Sequence, residues 1–319
     1  YESGGNGLGR TFPHRVSGDS TSGITSSYYW ALLTSPFGSE VLSEFARHTI
    51  VGEQLGQRGV TDLLCVGFSS TDYVGHSFGP HSHEVMDMTV RMDRILAEFF
   101  AFIDTTVGLN NCLIVLTSDH GVTPIPEYIL KQNEHASAGR VMERPLKEFC
   151  TRALTSVFGS PSQSSWVDAV VSGNVYLNRE ALREKQLPLE TAARTVADSL
   201  ATMEAVAAAF TRSEMMTAPH SSLQARMNKS FHTSRSGDVF FALKPFYIAA
   251  YSETGTTHGE PYDYDAHVPV IFVGNGLKAG TYSSEASPAD IAATLSSLVG
   301  IEFPAGREGR VLAEGMQVR

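Results

Sequence analysis

No run of apolar residues in this 319-residue chain approaches the ~20 that a membrane-spanning helix requires. A basic excess is missing as well: Lys and Arg total 24 against 34 Asp and Glu, for a net charge of -10. Nucleic-acid-binding surfaces are basic, so this balance argues against such a partner. Cysteine is scarce, and Cys65, Cys112 and Cys150 form no CxxC pair of the kind that holds a metal. They need not form a disulfide either. Cys65 and Cys112 lie in or beside apolar runs, where a free cysteine acts as a small apolar side chain. No secretory signal is visible at the first residues, and nothing follows from that. What remains is an ordinary globular composition, 42% hydrophobic and 18% charged. The length suits one large α/β domain with an insertion, or two small domains.

Two short apolar runs organise the chain, each followed by a polar cluster. Leu63-Leu64-Cys65-Val66-Gly67-Phe68 precedes Ser69-Ser70-Thr71-Asp72-Tyr73-Val74-Gly75-His76, and Leu113-Ile114-Val115-Leu116-Thr117 precedes Ser118-Asp119-His120-Gly121. Near-continuous β-rich runs read as strands buried on both faces of a parallel sheet. Ligands gather at the carboxyl edge of such a sheet, and Asp with His suits a divalent metal such as zinc. Asp72 and His76, four apart, point the same way if a helical turn follows the strand. Alone, the spacing is equally that of a capping Asp and an unrelated His. A third cluster, Gly255-Thr256-Thr257-His258-Gly259-Glu260, comes shortly before the apolar run at 268–273. Each cluster alone is modest evidence; three at strand–loop junctions point to an enzyme site.

Between the first two clusters, Val85, Met88, Met92, Ile95, Leu96 and Phe99 recur at helical spacing, predicting a helix over 84–106. Glu84, Asp87, Arg91 and Arg94 read as its exposed face. Strand, helix and strand in that order make a βαβ unit with 63–68 and 113–117 parallel. A helix is expected over 38–58 with Ser39 as cap, and another after Ser287-Pro288. From Gly121 to Gly255 the character changes. Helices are expected at 145–158 and 190–210 and strands at 167–177 and 238–247, an α+β insertion without a dense Asp/His cluster. Residues 1–25 read as irregular. The domain reading is 1–124 core, 125–250 inserted cap and 251–319 a return to the core.

Three segments carry a resemblance to a known family: Asp-Tyr-Val-Gly-His at 72–76, Ser-Asp-His-Gly at 118–121, and Gly-Thr-Thr-His-Gly-Glu-Pro-Tyr-Asp-Tyr-Asp-Ala-His-Val-Pro at 255–269. They resemble the alkaline phosphatase superfamily, in its type I phosphodiesterase/nucleotide pyrophosphatase branch, nearest the PafA-like single-polypeptide bacterial alkaline phosphatases. The resemblance covers nearly the whole chain. It implies an α/β three-layer sandwich with a mostly parallel central sheet. It also implies Asp72, His76 and His258 as ligands of one zinc and Asp119 and His120 as ligands of a second. Two metals roughly 4 Å apart clamp a phosphoryl group in such sites. The implied reaction is hydrolysis of phosphate monoesters, releasing inorganic phosphate. Phosphodiester or pyrophosphate cleavage, or a metal-binding module without catalysis, are the alternatives. Asp265 and His267 are read either as partners orienting His258 or as caps of the next strand.

The resemblance also marks what these residues do not match. The family's nucleophile, one further Asp ligand and the groups that contact phosphoryl oxygens have no counterpart in residues 1–60. The expectation is therefore that no catalytic nucleophile lies in this chain, and that the missing N-terminal half of the same domain, upstream of Tyr1, supplies it. A periplasmic or secreted location is implied by the same resemblance.

Overall fold

The structure is a computed structural model describing residues 8–18, 23–306 and 308–317. The irregular N-terminal reading is met by 8–18, which holds no helix or strand, and its remainder partly lies outside the described residues. The chain opens with helices α1 (Ser26–Leu33), α2 (Pro36–Gly52), α3 (Ser70–Phe78) and α4 (His83–Thr106), then strand β1 (Leu113–Thr117). The middle holds α5 (Pro126–Gln132), β2 (Gly139–Met142), α6 (Glu143–Phe158), β3 (Val167–Val171), β4 (Asn174–Leu177), α7 (Arg179–Glu184) and α8 (Leu189–Ala201). Then follow β5 (Val206–Thr211), α9 (Arg212–Met215), α10 (Ser222–Asn228), β6 (Val239–Leu243), β7 (Tyr247–Ala250), α11 (Asp263–Ala266), β8 (Val270–Gly274) and α12 (Asp290–Val299).

The chain divides into two compact units. One takes in the described residues of 8–74, Ser82–Gly121 and 267–317. Its α4 starts where Ser82 accepts a hydrogen bond from Val85 N at 3.1 Å, a cap that satisfies one orphan amide. The apolar face of α4 then buries Phe99 against Ala46 and Ile50 of α2. α2 begins and ends earlier in the chain than the expected 38–58: Ser35 is the N-cap residue, Pro36 opens the first turn and Gly52 closes the last, while Ser39 is buried inside the helix. Glu84 departs from the exposed-face reading. It is nearly buried, and its carboxylate takes a 2.7 Å bond from His14, whose Nδ1 bonds Leu8 O, so the pair ties the irregular N-terminal segment to α4.

The strands of this unit correct the sheet expected from sequence. β1 pairs with β8, and the two run antiparallel, with Leu116 opposite Ile271 and Ile114 opposite Val273. Residues 63–68 form no strand and so make no parallel pair with 113–117. An apolar run reads as a strand from composition, but a strand exists only with a ladder partner, and among the described residues this run has none. Cys65 is accordingly exposed rather than buried.

Among the described residues, the other unit comprises Gly75–His81 and Val122–Ala266. A four-stranded antiparallel sheet, in the order β3-β4-β6-β5, is covered by α6 and α8. Trp166, Leu154, Val196, Leu200 and Val239, each fully buried, fill the space between sheet and helices. β2 and β7 form a separate parallel pair. The expected strand at 167–177 is a hairpin turned at Ser172-Gly173, both with positive φ. The helix expected over 190–210 stops at Ala201, and Val206–Thr211 becomes β5. That segment is alanine-rich, yet pairing with β6 decides its conformation over local propensity.

Candidate metal centre

α3 starts at Ser70, at the end of the apolar run, with Asp72 in its first turn and His76 in its last. Four residues apart on a helix, the two lie one above the other on one face. A carboxylate in the first turn is favoured by the helix dipole and an imidazole in the last turn can bond terminal carbonyls. The division between the units falls within this helix, after Val74, so the helix itself ties Asp72 to His76.

His76 meets the third cluster within its own unit. The rings of His76 and His258 lie 5.0 Å apart, tilted by 48°. Gly255 has φ +72, and a Cβ placed there would overlap the carbonyl oxygen of His76. That close approach lets Thr256 N donate to His76 O at 2.8 Å. In return, His76 Nδ1 donates to Thr256 O at 2.8 Å. A proton fixed on Nδ1 leaves the lone pair on Nε2, the arrangement found in metal-ligating histidines. Thr256 Oγ1 donates to Thr123 O at 2.7 Å, and Thr123 N donates to Thr257 O at 3.2 Å, closing the loop from the other side.

Asp265 finishes the shape of this loop. Its buried carboxylate accepts from Gly259 N at 2.6 Å and Glu260 N at 2.7 Å, bending the chain immediately after His258. Of the two roles weighed for it, Asp265 therefore acts on the His258 loop, whereas His267 is exposed. Burial, and then the charge of Asp265, pushes Glu260 up to about 8.

In the other unit, β1 ends at Thr117 and the chain turns through Ser118, Asp119 and His120. Ser118 Oγ donates to His120 O at 2.7 Å. His120 Nδ1 donates to Gly121 O at 2.8 Å, so its tautomer is fixed as that of His76 is. Asp119 is 84% exposed, with Oδ2 3.4 Å from His120 Nε2.

Among the described residues, Asp72, His76 and His258, joined through α3 and the His76–His258 contact, form a group able to hold a metal ion. Two imidazoles and a carboxylate are an ordinary zinc donor set. Asp119 does not belong to it.

The family model for type I phosphodiesterase/nucleotide pyrophosphatase matches residues 16–267. The chain belongs to this family. It is 35% identical over 282 residues to alkaline phosphatase PafA of Elizabethkingia meningoseptica, which covers 88% of this chain and 50% of that protein. Alkaline phosphatase PhoV of Synechococcus elongatus is 32% identical over 288 residues, covering 90% of this chain and 50% of that protein. The crystal structure of wild-type PafA superposes with a TM-score of 0.83 at 33% identity, over 91% of this chain and 54% of that one. The alkaline-phosphatase-like fold follows from that match. The chain thus spans about half the length of the curated relatives it matches.

Sequence reasoning placed Asp72, His76 and His258, and the structure sets His76 beside His258 with Asp72 one turn away. It did not find Thr123, which works through backbone groups any residue would offer. No residue-type signal marks such a position.

Proposed function

We propose that this chain forms part of a zinc-dependent phosphoester hydrolase acting on phosphate monoesters, with Asp72, His76 and His258 holding one zinc and Asp119 and His120 contributing to a second. The observation that carries this reading is the His76–His258 pair, 5.0 Å apart, with the His76 tautomer set by Thr256. Zinc bound there would neutralise charge on the phosphoryl group and its leaving oxygen. The chain's own residues hold the donor atoms in place: α3 spaces Asp72 from His76, and the Thr256 loop orients the His76 imidazole and carries His258 beside it. The inserted segment 125–250 serves in this reading as a cap that supplies no zinc ligand.

The same reading places the nucleophile on further polypeptide, and the surface of the first unit supports it. One face of the β1–β8 pair presents Leu116, Ile271 and Val273 to solvent, the last 56% exposed. Leu63 in the unpaired run is 79% exposed. Soluble monomers rarely leave such contiguous apolar surface open, and a two-stranded sheet alone is marginal in water. Additional strands, of the kind the relatives' greater length allows, would pair with residues 63–68 and cover this face. Export to the periplasm or beyond belongs to the same reading.

The test uses the natural full-length protein: bound zinc is measured, then turnover of p-nitrophenyl phosphate and of bis-p-nitrophenyl phosphate. Two zinc ions per chain and preference for the monoester are expected. Preference for the diester would move the assignment to phosphodiesterase, the reaction named by the family model. Zinc without turnover of either ester would make the protein a metal-binding module and overturn the hydrolase reading.

A further inference from the structure

Arg140 lies in β2, opposite Ile248 of β7, with a side chain 10% exposed. Its Nε and Nη2 donate to the two carboxylate oxygens of Glu127, each at 2.7 Å. Nη2 also donates to the carbonyl oxygen of Gly255 at 2.6 Å. Glu127 stands in the first turn of α5, so a helix, a strand and the His258 loop meet at one guanidinium. We propose that Arg140 is a positioning residue for the metal centre: it grips Gly255 and thereby sets the turn that presents His258 beside His76. The inference rests on the reading of His258 as a metal ligand.

Three observations carry it. First, Gly255 is the hinge of the loop. Its backbone approaches the last turn of α3 so closely that no side chain fits, and Thr256 makes both bonds to His76 immediately after it. A carbonyl held at Gly255 therefore fixes the start of the loop in which Thr256 sets the His76 imidazole and from which His258 projects. Second, the contact needs an arginine. A planar fork can satisfy both oxygens of one carboxylate and still aim a second N–H at a carbonyl, which a lysine ammonium cannot do in the same plane. Third, the charge is already committed. Arg140 is nearly buried and paired with Glu127, so it is placed to hold the loop rather than to meet a phosphoryl group in solvent. Glu127 is the counterpart: burial opposes its ionisation, but the Arg140 bonds outweigh that and hold it below the usual carboxylate range. Neither residue carries a sequence signal, since each acts on backbone or on the other.

The experiment uses the full-length protein with Arg140→Lys, Arg140→Met and Glu127→Gln, beside His258→Ala and the core variant Leu154→Ala as a stability control. Zinc affinity is measured by chelator competition at a temperature where every variant is folded. Histidine side-chain NMR of the metal-free protein reads the His76 and His258 rings directly. Outer partners of metal ligands affect affinity by about 10–100-fold. Arg140→Met is expected to lose zinc affinity in that range and to shift both imidazole resonances. Arg140→Lys should recover only part of this, and Leu154→Ala should lower stability with zinc affinity unchanged. If Arg140→Met fails to fold, Arg140→Lys and Glu127→Gln carry the comparison. Zinc binding unchanged in His258→Ala overturns the metal reading, and this inference with it. A loss in His258→Ala with unchanged affinity and ring signals in the Arg140 variants overturns only this inference.

Discussion

Gly255→Ala puts the loop geometry to the sharpest test. Gly255 has φ +72, a left-handed conformation that costs an L-residue about 1–2 kcal/mol. Gly300, at the end of α12, has φ +74 with open space around it, so Gly300→Ala carries the same backbone cost and nothing more. At Gly255 the new Cβ also overlaps His76 O, a backbone atom that cannot swing aside. To restore van der Waals contact the loop must retreat by about 1 Å. That movement breaks or stretches two hydrogen bonds, Thr256 N to His76 O and His76 Nδ1 to Thr256 O, both 2.8 Å. At about 1 kcal/mol each, their loss adds about 2 kcal/mol. Gly255→Ala should thus destabilise by about 3–4 kcal/mol against about 1–2 for Gly300→Ala. The two are separated by urea denaturation, and zinc affinity is measured alongside. Only Gly255→Ala should weaken zinc, because only it moves His258. Equal destabilisation by the two substitutions, or unchanged zinc affinity in Gly255→Ala, would refute the reasoning that this close approach positions the site.

Four further outcomes are expected. Burial pushes the Cys150 thiol up to about 12, so a thiol reagent at neutral pH should leave it unmodified until the protein unfolds. Exposed Cys65 should react at once in the 1–319 chain, but be protected in the longer protein if further polypeptide covers residues 63–68. Glu127 has a pKa held below the ordinary 4.5. A depressed carboxylate contributes stability that is present above its unfolded value and is lost as pH falls through the folded one. Thermal melts from pH 6 downward should therefore show the wild type losing, below roughly pH 4.5, an increment of stability that Glu127→Gln never had. Asp238 is buried and accepts from Leu177 N at 2.9 Å and from Arg179 at 2.6 and 3.0 Å. Asp238→Ala leaves the Leu177 amide unpaired and removes the counter-charge from Arg212, 24% exposed with Nε 3.6 Å from Asp238 Oδ1, so it should cost more than the ~1–3 kcal/mol of one unpaired amide by denaturant titration; Arg179 is half exposed and regains water.

How much of this was legible in the sequence depends on whether the deciding interactions were local. α4 was legible because about four turns of apolar periodicity, from Val85 to Phe99, agree; the Ser82 cap came only with the structure. The helical turn carrying Asp72 and His76 followed from their spacing. The run at 63–68 reads as a strand by the same composition rules as β1, yet it has no ladder partner among the described residues, and no local pattern could reveal that. Likewise 206–211 looks helical beside the alanines of α8. Its pairing with β6, more than thirty residues away in sequence, turns it into a strand. The antiparallel pairing of β1 with β8 is a choice of partner across about 150 residues, which periodicity cannot specify.

The site divides along a different line. The segments bearing Asp72, His76 and His258 were legible because side chains suited to ligation are few and distinctive, and the structure sets the His76 and His258 rings 5.0 Å apart. The groups that aim them were not. Thr256 O, Gly255 O, Thr123 O and His76 O are carbonyls, which every residue possesses, and the structure uses them to set the His76 ring and the loop that carries His258. Glycine is the one place where this backbone work leaves a trace, because Gly255 alone permits the approach to α3. Arg140 and Glu127 lie in segments that read as an ordinary strand and an ordinary helix start, and their meeting with Gly255 spans 115 residues of sequence. Side chains suited to ligation can thus be read from residue identity, whereas the precision with which they are held depends on backbone contacts that only the folded chain discloses. On the proposed zinc reading, substitutions at Gly255 and Arg140, neither of them a proposed ligand, should lower zinc affinity, whereas removal of the exposed His135 should not.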